Sequence, residues 1–223
     1  THFLKNYHNI FIEKCIPILH LHPSYYKNKK TALIAISLAI FIARKSAQPF
    51  QNLLINNQKK PIFDYLNETD SLYTTLKHLL QYEKFNDISM QDVFNHILEN
   101  AIKNNVSAND MPRRMIYICS LQTIKKQMSN HNLTSKSEFI QQIHNSYEKH
   151  GYIPPQIIFF NINANNVCFP VLSHQHNVGI LSGYSPVILN SLIYKEHELC
   201  NCITILKKIL QTNRYNLITQ SIQ

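Results

Sequence analysis

Twelve histidines and five cysteines are the residues here best suited to hold a soft metal or to carry a reactive proton. His20 and His22 stand two apart, and His174 and His176 repeat that spacing. Imidazole pairs suit Zn²⁺, but a His-rich chain also produces them by chance, and both fall in segments expected as solvated loops. Ser24, beside His20 and His22, has the residue types of an activated hydroxyl. No nucleophile elbow, oxyanion device or orienting acid accompanies it, so the expectation is that the protein is not an enzyme. Cys200-Asn201-Cys202 lacks the C-x-x-C spacing of a zinc site. Cys15, Cys119 and Cys168 lie in apolar, strand-like runs, as buried free thiols of a reducing, intracellular compartment would. Lys27, Lys29 and Lys30 precede an apolar helix, and a helix N-terminus with lysines favours an anion: an acidic protein segment or a nucleic-acid backbone. An ordinary solvated helix start is the plainer reading. Tyr25, Tyr26 and Tyr73 could stack bases near that cluster, although such residues more often pack half-buried.

The elements that must position these residues follow from the apolar pattern. A chain of 223 residues, 44% hydrophobic and 16% charged, can fold around one core. One domain over 1–223 is expected, its core at about 15–210, and the start at Thr1 admits a piece of a longer protein. Cys15 to Leu21 has strand length, with Pro17 as an objection. Lys30 to Arg44 is apolar nearly all round, as a helix packed on a sheet would be. Phe50–Ile55 and Pro61–Leu66 are expected as short strands around a turn. Asp70 is a candidate cap for a helix to about Tyr82. Ser89 to Asn104 has a helical apolar face, Met115–Cys119 is a buried strand, and Ser135–Lys149 is helical. Gln156–Phe160, Val167–Leu172 and Val178–Leu181 are strands. Ser185-Pro186 is a helix start, and Lys195–Leu210 is again helical. This alternation predicts an α/β fold: a Rossmann-like three-layer sandwich with a mostly parallel sheet. Ligands of such sheets bind at the carboxyl edge of the strands.

The formal charge of +9 raises the prior for an anionic partner, but the basic residues are dispersed. The longest apolar stretch, Thr31 to Ala43, is short of the roughly 20 residues of a membrane span, and no signal peptide is expected. Roughly thirty Ile and twenty-five Asn, far above ordinary usage, are residues of A/T-rich codons and suggest a source such as a large DNA virus or a parasite.

Three stretches carry a resemblance. Gly151-Tyr152-Ile153-Pro154-Pro155-Gln156-Ile157-Ile158-Phe159-Phe160-Asn161, then Asn177-Val178-Gly179-Ile180-Leu181-Ser182-Gly183-Tyr184-Ser185, and upstream Asp92-Val93-Phe94-Asn95-His96-Ile97-Leu98 together resemble the C-terminal von Willebrand factor A-like domain of a family of unknown function found in plants and giant viruses. That domain is distantly similar to the A-type domain of the Ro RNA-binding proteins. The resemblance spans about Cys15 to Leu210. It implies a carboxyl-edge metal site built from a D-x-S-x-S motif on the first strand, a loop Thr and an Asp on the fourth strand. Mg²⁺ needs such oxygen ligands at about 2.1 Å, with carboxylates to offset its charge. Here the first-strand motif falls on His20, His22 and Ser24. The Thr falls on or near Ile88, beside Asp87. The Asp falls on Ser120, or on Cys119 one residue back. No first-shell carboxylate comes from either strand, so no bound metal and no cofactor are expected.

The function expected is a non-catalytic, metal-independent protein–protein interaction or structural module, its ligand edge carrying His20, His22, Ser24, Asp87, Ile88 and Ser120. The alternative is an RNA-binding module using a basic face near Lys27–Lys30. The two differ in salt dependence: binding to a nucleic-acid backbone weakens steeply as salt rises.

Overall fold

The computed structural model of the chain describes residues 12–20, 29–57, 61–81, 89–119, 136–162 and 177–183. The strand expected at Val167–Leu172 and the helices expected from Ser185 and Lys195 lie outside the described residues, as do His174, His176, Cys168, Cys200 and Cys202. In chain order the elements are β1 (Cys15–Leu19), α1 (Lys29–Lys45), β2 (Leu53–Asn57), β3 (Pro61–Tyr65), α2 (Leu72–Leu80), α3 (Met90–Lys103), β4 (Arg114–Cys119), α4 (Lys136–Lys149), β5 (Gln156–Asn161) and β6 (Val178–Ser182). The six strands form one sheet in the order β3-β2-β1-β4-β5-β6. All neighbours are parallel except the β2–β3 hairpin. The protein is therefore a mixed α/β structure with a mostly parallel sheet, and strand order reverses direction between β1 and β4.

Central strands of such a sheet are covered on both faces and need near-continuous apolar sequence. β1, β4 and β5 are buried at every position, whereas the antiparallel edge strand β3 is partly exposed throughout. Alternation sends side chains to two apolar clusters. Ile16, Ile18, Met115, Tyr117, Ile157 and Phe159 pack with Val93, Phe94 and Ile97 of α3 and Ile140, Ile143 and Tyr147 of α4. Leu19, Ile116, Ile118, Ile158 and Phe160 pack with Ile36, Ala39 and Ala43 of α1 and with Leu79 of α2. Each fully buried Leu, Ile or Phe contributes about 1.5–3 kcal/mol relative to exposure.

Pro17 sits inside β1, and the hydrogen bonding explains its tolerance. His20 N–H donates to the Ile118 carbonyl on the β4 side. Alternation then points the odd-numbered backbone groups of β1 toward β2. Pairing with β2 starts only at Ile18, so the N–H that Pro17 lacks has no ladder partner to lose. Below it, the Ser46 hydroxyl accepts from Cys15 N–H at 3.1 Å and donates to Cys15 O at 2.7 Å. One side chain thus takes the place of a neighbouring strand.

The cap of α2 is Ser71, not Asp70: the Ser71 hydroxyl accepts from Thr74 N–H, while the Asp70 carbonyl accepts from Arg44 Nη2 at 2.8 Å. Ser89 caps α3 as its position implies. β2 begins at Leu53 rather than Phe50 because Phe50–Leu53 closes a turn, Leu53 N–H donating to Phe50 O. β1 ends at Leu19 and not Leu21.

On the inner face of α4 the His144 ring is buried. Burial pushes its pKa below the ordinary histidine range, opposed by Glu148 one turn on. A depressed folded pKa means that the unfolded chain binds more protons between that value and about 6.5, so stability rises with pH across the window and falls on acidification. A melting-temperature series from pH 7.5 to 5 is expected to fall with pH, and His144→Gln to fall less steeply. Equal slopes would remove His144 as a contributor.

Candidate functional site at the carboxyl edge

The carboxyl ends of β1, β4, β5 and β6 lie in register. Leu19 is level with Ile118, Cys119 with Asn161, and Asn161 with Ser182. One residue beyond Leu19, His20 completes a row: His20, Cys119, Asn161, Ser182. The alternation that sends Ile16, Ile18, Tyr117, Cys119, Phe159 and Val178 to the α3–α4 face places all four on that face. The row crosses the gap between β1 and β4, where sheet order reverses and open α/β sheets form their ligand crevice.

His20 is 2% exposed, not in a solvated loop, because it continues the inward alternation of β1. Its Nδ1 lies 2.7 Å from the Tyr117 hydroxyl, with ring centroids 5.8 Å apart. Tyr117, fully buried in mid-β4, stacks on Phe94 and meets Phe159 edge-on. The imidazole is thus fixed by a hydroxyl whose own ring is held by α3 and β5. At the other end of the row Asn161 Nδ2 donates to Ser182 Oγ at 3.0 Å, and Asn161 O accepts from Gly183 N–H at 2.8 Å. Gly183 has φ +93°, a conformation that glycine adopts without strain, so the chain can turn sharply as it leaves β6.

Cys119 stands between these two pairs, its Sγ toward Tyr117 O at 3.6 Å. Burial holds its pKa well above the ordinary thiol value. Burial likewise pushes Cys15 up to about 12, despite its hydrogen bond with Ser46. Both are free and buried, and at neutral pH both are thiols rather than the thiolates that nucleophilic or metal chemistry uses. Among the described residues no group of three or more His, Cys, Asp or Glu side chains is placed to hold a metal ion.

Of the residues expected at this edge, His20 lies one residue beyond the end of β1. His22, Ser24, Lys27, Asp87, Ile88 and Ser120 lie outside the described residues. Lys29 opens α1, and Lys30, next along, is exposed. Tyr73 is 75% exposed on α2. Sequence reasoning missed Tyr117, Asn161 and Ser182 as site residues. The signal was available: each has the same strand parity as its inward-facing neighbours, Asn161 ends the Gly151–Asn161 stretch, and Ser182 lies within the Asn177–Ser185 stretch.

The fold and this edge define the class, a mixed α/β protein with a mostly parallel six-stranded sheet. A family model described as Domain of unknown function (DUF7788) matches residues 15–208, and the chain belongs to that family. It is 23% identical over 164 residues to Uncharacterized protein L728 of Acanthamoeba polyphaga mimivirus, covering 73% of this chain and 28% of that protein. Among solved structures it is similar to the Deinococcus radiodurans RO (RSR) protein at 10% identity and TM-score 0.49, over 83% of this chain and 33% of that one. The chain thus spans about a third or less of the length of each of these relatives. Among the described residues no helix is long and apolar enough to cross a membrane.

Proposed function

We propose that the chain is a von Willebrand factor A-like three-layer sandwich, α1 and α2 on one face of the sheet and α3 and α4 on the other. In this reading it works as a metal-independent, non-catalytic protein-interaction module whose partner meets the carboxyl edge, in an intracellular or virion-associated assembly of a large DNA virus. The observation that carries the reading is the row His20–Cys119–Asn161–Ser182, which holds no carboxylate, whereas a Mg²⁺-dependent edge needs carboxylates. His20 is fixed by Tyr117 and Asn161 by Ser182, and His20, Cys119 and Asn161 are buried, so the row is a preorganised layer beneath the edge that a partner would meet. Preorganisation raises affinity by lowering the ordering cost of association. The two buried thiols and the viral relative support the setting.

The alternative, an RNA-binding module, draws on the exposed Lys30 in the first turn of α1, which begins on the carboxyl side of β1, and on the overall charge of +9. Two measurements separate the readings. The purified protein is expected to contain no stoichiometric metal and to melt at the same temperature with and without chelator. A fluorescent single-stranded RNA is expected to bind no more tightly than roughly 10⁻⁴–10⁻⁶ M at physiological salt, the non-specific range. Stoichiometric zinc would overturn the metal-independent reading. Tighter RNA binding that weakens steeply with salt and is reduced by Lys30→Glu would replace the protein-partner reading with the alternative.

A further inference from the structure

Two of the stretches that carry the family resemblance, Gly151–Asn161 and Asn177–Ser185, meet at the amino end of the sheet. There the chain before β4, the start of β5 and the residue before β6 enclose a pocket of about 90 Å³, space for a few heavy atoms where a water takes roughly 30 Å³. Met111, Pro112, Ile153 and Pro154 supply apolar walls, and Arg113, Gln156 and Asn177 supply polar ones. Two of the four apolar walls are prolines, whose φ is fixed. The backbone holds Arg113 from both sides: its N–H donates to Lys14 O at 2.8 Å, and its carbonyl accepts from Gln156 N–H at 2.9 Å.

Arg113 is the one charged side chain in this lining, and its charge is not matched by its surroundings. The carboxylates of the segments that reach this end are Glu13, Asp110 and Glu148. Both oxygens of Asp110 are engaged, Oδ1 at 3.6 Å from Lys14 Nζ and Oδ2 accepting from Ser107 Oγ at 2.8 Å. Glu13 lies 3.7 Å from Arg114 Nη2. Glu148 is exposed in the last turn of α4, with Lys149 beside it. Lys103 at the end of α3 adds a further exposed cation. Among the described residues, no carboxylate or hydrogen-bond acceptor meets the Arg113 guanidinium.

A guanidinium is a planar fork of N–H donors that matches the two oxygens of a carboxylate. Phosphate groups carry nearly twice the charge and are met by clusters of arginines, whereas this pocket offers one. Its apolar walls suit the methylenes of a side chain and lower the local dielectric, which strengthens the ion pair. Ile153, 55% exposed at the rim, gives the rest of such a chain an apolar contact. We propose that this pocket binds a carboxylate side chain, the Glu or Asp of an acidic partner segment, with Arg113 pairing its oxygens and Met111 and Ile153 along its methylenes. The site lies at the opposite end of the sheet from the His20 row and stands whether or not that edge binds protein.

The test is NMR of the full chain with labelled Arg side chains and Met and Ile methyls, at constant physiological ionic strength. It is titrated with a deca-glutamate peptide, a neutral Gly/Ser peptide and inorganic phosphate. Deca-glutamate is expected to shift the Arg113 Nε–H and the Met111 and Ile153 methyls in a saturable way, and the other two probes are not. Arg113→Gln should weaken that binding about 10-fold or more, the loss of a hydrogen-bonded charge. Lys77→Gln, which removes one exposed charge on α2, should leave it unchanged. The Arg113 side chain has no partner to lose, so its variant is expected to melt with the parent; should it melt lower, the shift map of the parent protein decides. Absence of shifts at these positions up to millimolar peptide, shifts confined to other regions, equal effects of phosphate, or equal weakening by Lys77→Gln would each overturn the proposal.

Discussion

Tyr117→Ala is expected to cost about 3–5 kcal/mol of stability, the range for large aromatic truncations in a packed core. In a chain of this size that lowers the melting temperature by about 6–20 °C. The ring is fully buried and touches α3 through Phe94 and β5 through Phe159, so no single neighbour can collapse into the space. Tyr117→Phe separates packing from polarity. It keeps the ring, removes the hydroxyl that meets His20 Nδ1, and should cost about 1–3 kcal/mol, the penalty for taking a partner from a buried polar group. Combining it with His20→Leu in a double-mutant cycle should give a coupling of about 0.5–3 kcal/mol. Zero coupling would show that the bond does not fix the imidazole. Chemical denaturation of the four proteins measures all of this.

Ala39→Asp should be the more damaging change, leaving little or no folded protein. Ala32, Ala35, Ala39 and Ala43 of α1 are each 2% exposed or less, and the last three recur every fourth residue, one stripe on one face. The stripe lets α1 lie close on the sheet, beside Leu19, Leu54 and Ile118. A carboxylate there would be buried without a designed partner, at a cost of several kcal/mol or more unless protonated, against a typical total stability of about 5–15 kcal/mol. Ala39→Leu tests the spacing alone and should cost about 1–3 kcal/mol by overpacking. Circular dichroism melts of the two variants check both. A fully stable Ala39→Leu would mean that the helix can ride away from the sheet.

Where the apolar pattern is strong, the fold was legible in the sequence. Met115 to Cys119 and Gln156 to Phe160 could only be buried strands, and the stretch from Lys30 to Arg44, too apolar for a surface helix, is the one that packs on β1. Boundaries moved where a local hydrogen bond outranked the pattern. Asp70 has the right type for a cap but gives its carbonyl to Arg44, so the helix starts one residue later at Ser71. Pro17 looked like an objection to β1 because side choice along a ladder depends on where the neighbouring strand begins, and sequence does not carry that. For the site, parity explains where His20 lies and why Tyr117 was missed. His20 was found from a motif, yet its burial follows from its parity with Ile16 and Ile18. Tyr117 went unnoticed because a tyrosine between isoleucines reads as packing, and its hydroxyl matters only once β1 and β4 are side by side.

That adjacency has a consequence for how the chain is made. β1 pairs with β4 along its whole length, yet the two strands lie about a hundred residues apart in sequence. At ordinary elongation rates β1 therefore leaves the ribosome about 5–20 s before its partner exists. Closing so long a loop is also a slow step of folding. In that interval α1 and the β2–β3 hairpin, with Ser46 already able to engage the Cys15 backbone, are the local structure that can shelter an apolar strand from wrong partners. The nascent chain is expected to be most prone to aggregation just before Cys119 emerges, and translation pauses placed upstream of β4 should lower the yield of folded protein.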